Sequence, residues 1–189
     1  DQVVALETAD LAVLSTANLR ALTTAQVAAL TTGQVVALTT LQVATLSTSQ
    51  AAALTTDQVV ALSTAHVVAM TTSNVNALTT SQVVALETAD LAVLSTANLR
   101  ALSTAQVAAL TTDQVAALTT AQALGLSSSN IYALTTDQVP ALTVGQVENL
   151  TTAQIAAIET ADLVKMTTAQ IAGLSSVQIS ALTTDQLIK

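Results

Sequence analysis

An eight-residue phrase repeats along the whole chain without an insertion or deletion. Counted from residue 1, the 189 residues form 23 full octads and a five-residue remainder, with the consensus x-Gln-Val-x-Ala-Leu-Thr-Thr at positions 1 to 8. A register this strict gives every octad the same physical environment, which is typical of solenoids. We therefore expect one continuous solenoid over residues 1–189, cut from a longer array, with no privileged place for chemistry.

Apolar residues occupy positions 3 and 6 of the octad. Position 6 is Leu in 20 of the 23 full octads, and position 3 is Val, Ile or Leu except at Ala51 and Ala123. A spacing of three places both side chains on one face of a helix. One long helix is excluded, because eight residues at about 100° each would rotate the apolar stripe by about 80° per octad. The helix must therefore stop and restart within each octad.

The stop-and-restart signal lies at positions 7, 8, 1 and 2, which read Thr-Thr-x-Gln or Ser-Thr-x-Gln. This is the spacing of a capping box, in which the hydroxyl accepts a hydrogen bond from the N3 amide and the Gln reaches back. Asp at position 1, as in Asp57 and Asp113, would lie in the first turn and favour the positive helix end. The Gln at position 2 either caps the helix or forms an inward ladder with Gln on adjacent coils, and both alternatives stay open.

These patterns predict an all-α fold, a solenoid of very short capped helices with one helix per octad and about three octads per coil. The chain has one Tyr and no Phe or Trp, so its core must be narrow. A β-solenoid is the competing prediction, because Val and Thr favour strands and positions 3 and 5 alternate. The abundance of Ala, Leu and Gln argues against strands, as do only four Gly and one Pro for all the corners.

Composition excludes several classes of function. Four basic residues and a net charge of −8 cannot neutralise a run of phosphates, so we expect no nucleic-acid binding. Polar residues interrupt every apolar stretch far short of the roughly 20 residues of a membrane span. The chain has no Cys, one His and no glycine-rich phosphate loop. We therefore predict no enzyme activity, no catalytic residue, no cofactor and no metal site.

Three octad junctions read Glu-Thr-Ala-Asp, at residues 7–10, 87–90 and 159–162. Paired carboxylates suggest either acid–base chemistry or calcium binding, but two carboxylates supply too few oxygen ligands for calcium. We interpret these junctions as altered helix caps, with both acids near the positive end of the helix dipole.

Other departures from the consensus concern single residues. His66 replaces the Gln of position 2, and we interpret it as a surface or cap substitute. Position 4 varies most and carries Arg20, Arg100 and Tyr132, which indicates solvent exposure. Pro140 also lies at position 4, where it removes a backbone donor, so we expect it to distort its octad.

Position 8 is Thr in 20 of the 23 full octads. Stacked coils would align these residues in ladders, and regular Thr arrays on flat, weakly charged faces can match ice or a repetitive glycan. The alternative is that the hydroxyls serve as helix caps, which we prefer.

Tandem phrases such as the Leu-Thr-Thr-Ala-Gln-Val-Ala-Ala-Leu of residues 22–30 resemble those of very long, low-complexity surface proteins of bacteria, the adhesins and large exoproteins. The resemblance covers the whole chain and implies an extracellular or cell-surface location. It implies a rod-like spacer or a self-assembling filament or surface-layer segment, with self-association through stacked repeats. The resemblance carries over no functional residue.

Overall fold

The computed structural model describes residues 2–188, and all the regular secondary structure in that range is helical. It comprises 22 α-helices of four to six residues after an initial 3-10 helix at Val3–Ala5, with no β-strand among the described residues. The prediction of an all-α repeat of short helices is confirmed, and the β-solenoid alternative is wrong. The α-helices are α1 Thr8–Val13, α2 Thr16–Arg20, α3 Thr24–Ala29, α4 Thr32–Val36, α5 Thr40–Ala44, α6 Thr48–Ala53, α7 Thr56–Val60, α8 Thr64–Ala69, α9 Thr72–Ala77, α10 Thr80–Ala85, α11 Thr88–Val93, α12 Thr96–Arg100, α13 Thr104–Ala109, α14 Thr112–Ala117, α15 Thr120–Gly125, α16 Ser128–Tyr132, α17 Val144–Glu148, α18 Thr152–Ala157, α19 Thr160–Leu163, α20 Thr168–Ala172, α21 Ser176–Ser180 and α22 Thr184–Leu187.

Each helix starts where the sequence predicts, with the residue at position 7 as its N-cap. In α7 the hydroxyl of Thr55 accepts from the amide of Gln58 at 3.2 Å, and the side-chain oxygen of Gln58 accepts from the amide of Thr55 at 2.8 Å. Two of the four orphan donors of the helix start are thus satisfied.

The corners between helices are made by extended residues rather than by left-handed ones. Leu54, at position 6, has φ −57° and ψ 138° and follows α6 directly. The next residue, Thr55, is also extended, at φ −73° and ψ 161°, and caps α7. No described residue has a positive φ. The corners therefore need no glycine, which explains how so few glycines serve so many turns.

Two compact units make up the chain, Asp1–Leu94 and Ser95–Lys189. Within each unit, helices three octads apart pack against each other, as α6 does on α9 in the first and α12 on α15 in the second. Side chains at position 2 reach slightly further back, to backbone atoms 28 and 31 residues earlier. One coil therefore takes between three and four octads, close to the three that a narrow core suggests.

The core of each unit is a stack of aliphatic side chains from positions 3 and 6. In the first unit Val59 is fully buried and Leu62 nearly so, and in the second Val115 and Leu118 are the equivalent pair. Burying one Val or Leu side chain contributes about 1.5–3 kcal/mol, so each octad brings its own share of stability to the coil.

Pro140 removes the helix from its octad, as the sequence predicts. Residues 136–141 form only turns, whereas the octads before and after contain helices. Proline has no N–H to donate along the helix. The cap survives nonetheless, because the Thr135 amide still donates to the Gln138 side chain at 2.8 Å and the Gln138 amide to the Thr135 hydroxyl at 3.3 Å. The distortion is therefore confined to the helix itself.

Candidate functional site

The Gln at position 2 caps the helix, as one of the two sequence alternatives predicts, and it also reaches the backbone of the preceding coil. The side-chain oxygen of Gln58 caps α7, while its amide nitrogen donates to the carbonyls of Val27 at 2.9 Å and Leu30 at 2.6 Å on the preceding coil. The side chain is 2 % exposed. The ladder runs from Gln to backbone rather than from Gln to Gln. We call this arrangement the glutamine tie, and it couples helix initiation to coil stacking through one buried side chain.

Shorter side chains at position 2 keep the cap but make a weaker tie. Asn74 and Asn130 each donate to the position 6 carbonyl of the preceding coil, that of Leu46 at 2.8 Å and that of Leu102 at 2.9 Å. The position 3 carbonyl that Gln also reaches lies beyond them, because Asn is one methylene shorter.

His66 is a cap substitute, as interpreted from the sequence, but it is not on the surface. It is 5 % exposed, and its ring nitrogens replace both halves of the glutamine tie. Nδ1 accepts from the Ser63 amide at 3.3 Å, and Nε2 lies 2.7 Å from the Leu38 carbonyl. A carbonyl only accepts, so Nε2 carries the proton and the imidazole is the neutral Nε2–H tautomer.

The three Glu-Thr-Ala-Asp junctions are altered caps. Glu7, Glu87 and Glu159 occupy the N-cap without a side-chain cap hydrogen bond. The Asp of each junction lies at N3 in the first turn, where its charge favours the helix dipole. Their surroundings differ, however, because Asp10 is exposed whereas Asp90 and Asp162 are 4 % and 3 % exposed. Two of the three aspartates are therefore buried where the consensus has an amide.

The third junction borders an open groove of about 610 Å³ in the second unit. Tyr132, Glu159 and Asp162 lie along it, and small side chains including Ala105 and Ala108 line the rest. Tyr132 and Glu159 also border a second cavity of about 390 Å³. The structure thus brings together a tyrosine and two acids that are up to 30 residues apart in sequence.

The charges of this cluster interact. The pKa of the Tyr132 hydroxyl is raised above 10.0, because it donates a hydrogen bond to the Glu159 carboxylate and lies in that group's negative field, with burial a smaller cause. The pKa of Asp162 is raised above 3.8, first by burial and then by repulsion from Glu159. In the sequence, Tyr132 is one exposed position 4 residue among several. Its pairing with Glu159, 27 residues later, depends on the coil length, which the sequence does not give.

The rest of position 4 is on the outside, as predicted. Arg20 and Arg100 are exposed, as are Val36 and Val60. No group of three or more His, Cys, Asp or Glu side chains in residues 2–188 is placed to hold a metal ion. None of the described helices is long and apolar enough to cross a membrane.

Threonine hydroxyls divide into two sets. Those at position 7 accept the N3 amide and are used in caps, as in Thr31 and Thr55. Those at position 8, such as Thr32 and Thr56, are exposed. Some position 8 side chains also lie against a neighbouring coil. Thr96 is so close to Gly125 that a Cβ added to this glycine would come within 2.9 Å of the Thr96 Cβ. The interpretation of the position 8 hydroxyls as helix caps is therefore wrong: position 8 is the first helical residue, and the caps are the hydroxyls of position 7.

The two ends of the chain expose opposite parts of the octad. At the beginning, Asp10 and Asn18 of position 2 are exposed and Gln26 is half-buried, while Leu11 and Leu19 of position 3 are fully buried. We call the three position 2 side chains the N-terminal face.

Near the end of the chain the pattern reverses. Gln170 and Gln178 of position 2 are buried, while Ile171 and Ile179 of position 3 are both 42 % exposed and Leu187 is 63 % exposed. We call these three position 3 residues the C-terminal face. Within each unit, the surface formed by position 2 and the surface formed by position 3 face each other between successive coils.

Comparison with known proteins identifies a repeat family. The sequence model described as the ALTTAQ repeat matches residues 3–40, 37–64, 60–88, 83–120 and 155–189, which together are well over half of the chain. The unmatched residues 121–154 include Tyr132 and Pro140. No curated protein and no solved structure matches the chain.

Proposed function

Because the chain belongs to the ALTTAQ repeat family, and because its octads are joined by buried glutamine ties, we propose that it is a non-catalytic structural module. It acts as a spacer or self-assembling segment that grows by adding coil to coil. The observation that carries this proposal is the glutamine tie, which is made between neighbouring coils and needs no residue outside the octad. Any coil with a free face therefore offers the same bonds to the next.

The two ends support assembly between copies. The N-terminal face presents the side chain of Gln26, whose amide nitrogen donates to no described carbonyl, and the C-terminal face presents Ile171 and Ile179 in part exposed to water. A second copy of this chain would bury these side chains and supply the missing carbonyls, in the contact already made inside each unit. Because the two surfaces differ, the contact is heterologous, and repeated contacts form an open series rather than a closed dimer.

Sedimentation velocity over a range of protein concentrations tests the proposal. We expect the average mass to rise with concentration, and the Ile179→Asp variant to remain monomeric because it buries a charge in the contact. The matched control is Val36→Asp, which places the same charge on an exposed position 4 side chain that is part of neither face.

Asp10→Gln provides a gain-of-association test. It replaces a carboxylate on the N-terminal face by the amide that makes the tie elsewhere, and two new hydrogen bonds worth about 2 kcal/mol should tighten association by about thirtyfold. A chain that is monomeric at every concentration, or that associates equally well after Ile179→Asp, would contradict end-to-end assembly.

We also propose that the module belongs to an exported protein displayed at a bacterial cell surface. Its phrase resembles those of long repetitive surface proteins, and a chain without Cys folds without disulfide formation in an oxidising compartment. Immunogold labelling of intact cells with an antibody to the repeat tests this location, and label confined to the cytoplasm would contradict it.

A second candidate function is ice or glycan binding by the position 8 threonines. It is favoured by one observation, the exposure of side chains such as Thr32, Thr56 and Thr80. A series of Thr→Val variants at these residues should abolish ice shaping while far-UV circular dichroism stays unchanged, since these hydroxyls are not N-caps. Unaltered ice crystals with the parent chain would exclude the ice-binding form of this candidate.

A further inference from the structure

The corner after α17 contains a pattern that occurs once in the chain. Asn149 is followed by Leu150 and Thr151, which is the Asn-x-Thr pattern of an acceptor for N-linked glycosylation. The other asparagines have neither Ser nor Thr two residues later; they are Asn18, Asn74, Asn76, Asn98 and Asn130. A three-residue pattern specifies little by itself, so the placement of Asn149 in the structure decides its meaning.

Asn149 lies on the surface of the second unit, at a position where the repeat normally has Ala. It is exposed and forms the C-cap of α17 at position 5 of its octad. Its Nδ2 donates to the Gly145 carbonyl at 2.7 Å. The position 2 asparagines Asn74 and Asn130 are instead buried in helix caps. The Asn149 amide is therefore held at the surface, where a large group can be attached to it.

The neighbouring coils leave room for such a group. The helices α15 and α20 both pack on α17, and they end at Gly125 and Gly173, which occupy position 5 as Asn149 does. The coils approach closely here, since a Cβ added to Gly173 would come within 3.1 Å of a Glu148 carboxylate oxygen. Neither neighbour has a side chain at position 5 that could cover the Asn149 amide. A group attached to that amide therefore projects into solvent.

The folded structure is compatible with the modification but uses the hydroxyl of the pattern. The Thr151 hydroxyl accepts from the Gln154 amide at 3.2 Å and donates to the Gln154 side-chain oxygen at 3.0 Å. Because either Ser or Thr completes the pattern, a transferase reads it through this hydroxyl, so transfer has to precede closure of the cap. The side-chain amide of Asn has two N–H groups, and one remains after modification. The Asn149 nitrogen can then still donate to Gly145.

We propose that Asn149 is a site of N-linked glycosylation. Its Nδ2 attacks the anomeric carbon of a glycosyl diphosphate, and the bond from that carbon to the diphosphate oxygen breaks as the C–N bond forms. The diphosphate leaves with the electron pair, and the proton lost by the nitrogen passes to a base of the transferase. The attached sugar adds a bulky hydrophilic group to the outside of the coil.

Two classes of donor share this chemistry, a nucleoside diphosphate sugar and a polyprenyl diphosphate oligosaccharide. Both present an anomeric carbon with a diphosphate leaving group. The proposal goes beyond the structural role proposed above. It does not depend on end-to-end assembly, because Asn149 belongs to neither end face and the modification is measured by mass rather than by association.

Mass spectrometry of the full chain, isolated from the cells that make it, tests the site. We expect an added mass on the peptide that contains Asn149 and on no other peptide. A single hexose would identify a nucleoside diphosphate sugar as the donor, and a longer oligosaccharide a lipid-linked donor. A chain whose Asn149 peptide has its unmodified mass would overturn the proposal.

Variants expressed in the same cells separate the pattern from the fold. Asn149→Gln should lose the added mass completely, and Thr151→Ser should keep it. Thr151→Val should also lose the added mass, but it removes a helix cap as well. Its matched control is Thr143→Val, which removes the equivalent cap of α17 and leaves the Asn-Leu-Thr pattern intact, so the added mass should remain. An added mass that persists in Asn149→Gln, or that is lost equally from both Thr→Val variants, would contradict the assignment.

Discussion

The Gln58→Glu substitution isolates the donor half of the glutamine tie. Glutamate has the same shape as glutamine, so the oxygen that accepts from the Thr55 amide is kept. The nitrogen that lies 2.9 Å from the Val27 carbonyl and 2.6 Å from the Leu30 carbonyl becomes an oxygen that can only accept. Two donated bonds are therefore lost without any change in packing volume.

The expected cost follows from that geometry. Two lost hydrogen bonds remove about 2 kcal/mol, and burying a carboxylate among carbonyls adds several kcal/mol more near neutral pH. Below the ordinary Glu pKa of about 4.3 the introduced carboxyl becomes protonated and donates to one carbonyl again. Since burial raises the pKa of the introduced carboxyl in the folded state, the lost stability should return as the pH falls, leaving a deficit of about 1 kcal/mol.

Urea unfolding followed by far-UV circular dichroism, near neutral pH and near pH 4, measures this cost. The matched control is Gln26→Glu in the same unit, where the side chain accepts from the Thr23 amide at 2.8 Å but is half-buried and donates to no described carbonyl. We expect that control to lose less than about 1 kcal/mol at either pH. Equal losses at the two positions, or a loss at Gln58 that does not depend on pH, would refute the glutamine tie.

Three further predictions concern single departures from the repeat. Asn74→Gln should add the missing bond to the Val43 carbonyl and stabilise the first unit by about 1 kcal/mol in the same urea experiment, and a neutral or negative effect would contradict it. Pro140→Ala should restore a helix over residues 136–141, which increases helical ellipticity and stabilises the second unit by up to about 3 kcal/mol; unchanged ellipticity would show that another residue breaks this helix. Because its folded pKa is raised, Asp162 should contribute stability that is present below pH 3.8 and lost as the pH rises through the raised value, so the urea stability of Asp162→Asn should depend less on pH than that of the parent, and identical profiles would contradict this.

Much of the fold can be predicted from the eight-residue repeat alone. The capping box at positions 7 and 2, the apolar residues at positions 3 and 6, and the disruption at Pro140 all depend on contacts within eight residues, so the sequence predicts them directly. The altered caps at Glu7, Glu87 and Glu159 are predictable for the same reason. The sequence also predicts a narrow coil, because the chain has almost no aromatic residues to fill a wide one.

Contacts between coils could not be predicted in the same way. The offsets of 28 and 31 residues that define the glutamine tie depend on the number of octads per coil, and the eight-residue period is equally compatible with other coil lengths. Without that number, the burial of His66 and the pairing of Tyr132 with Glu159 have no signal in the sequence. An internal period shows that octads are equivalent but does not identify which of them are neighbours.

Hydrogen exchange of the Gln side-chain amides, measured by NMR on the 15N-labelled chain, tests the central claim most directly. The Nε2 protons of Gln58 and Gln154 donate to the preceding coil, so we expect strong protection from exchange, whereas those of Gln26 should exchange freely. Uniformly fast exchange of all Gln side chains, with the backbone amides of the helices still protected, would show that the coils are not joined through glutamine.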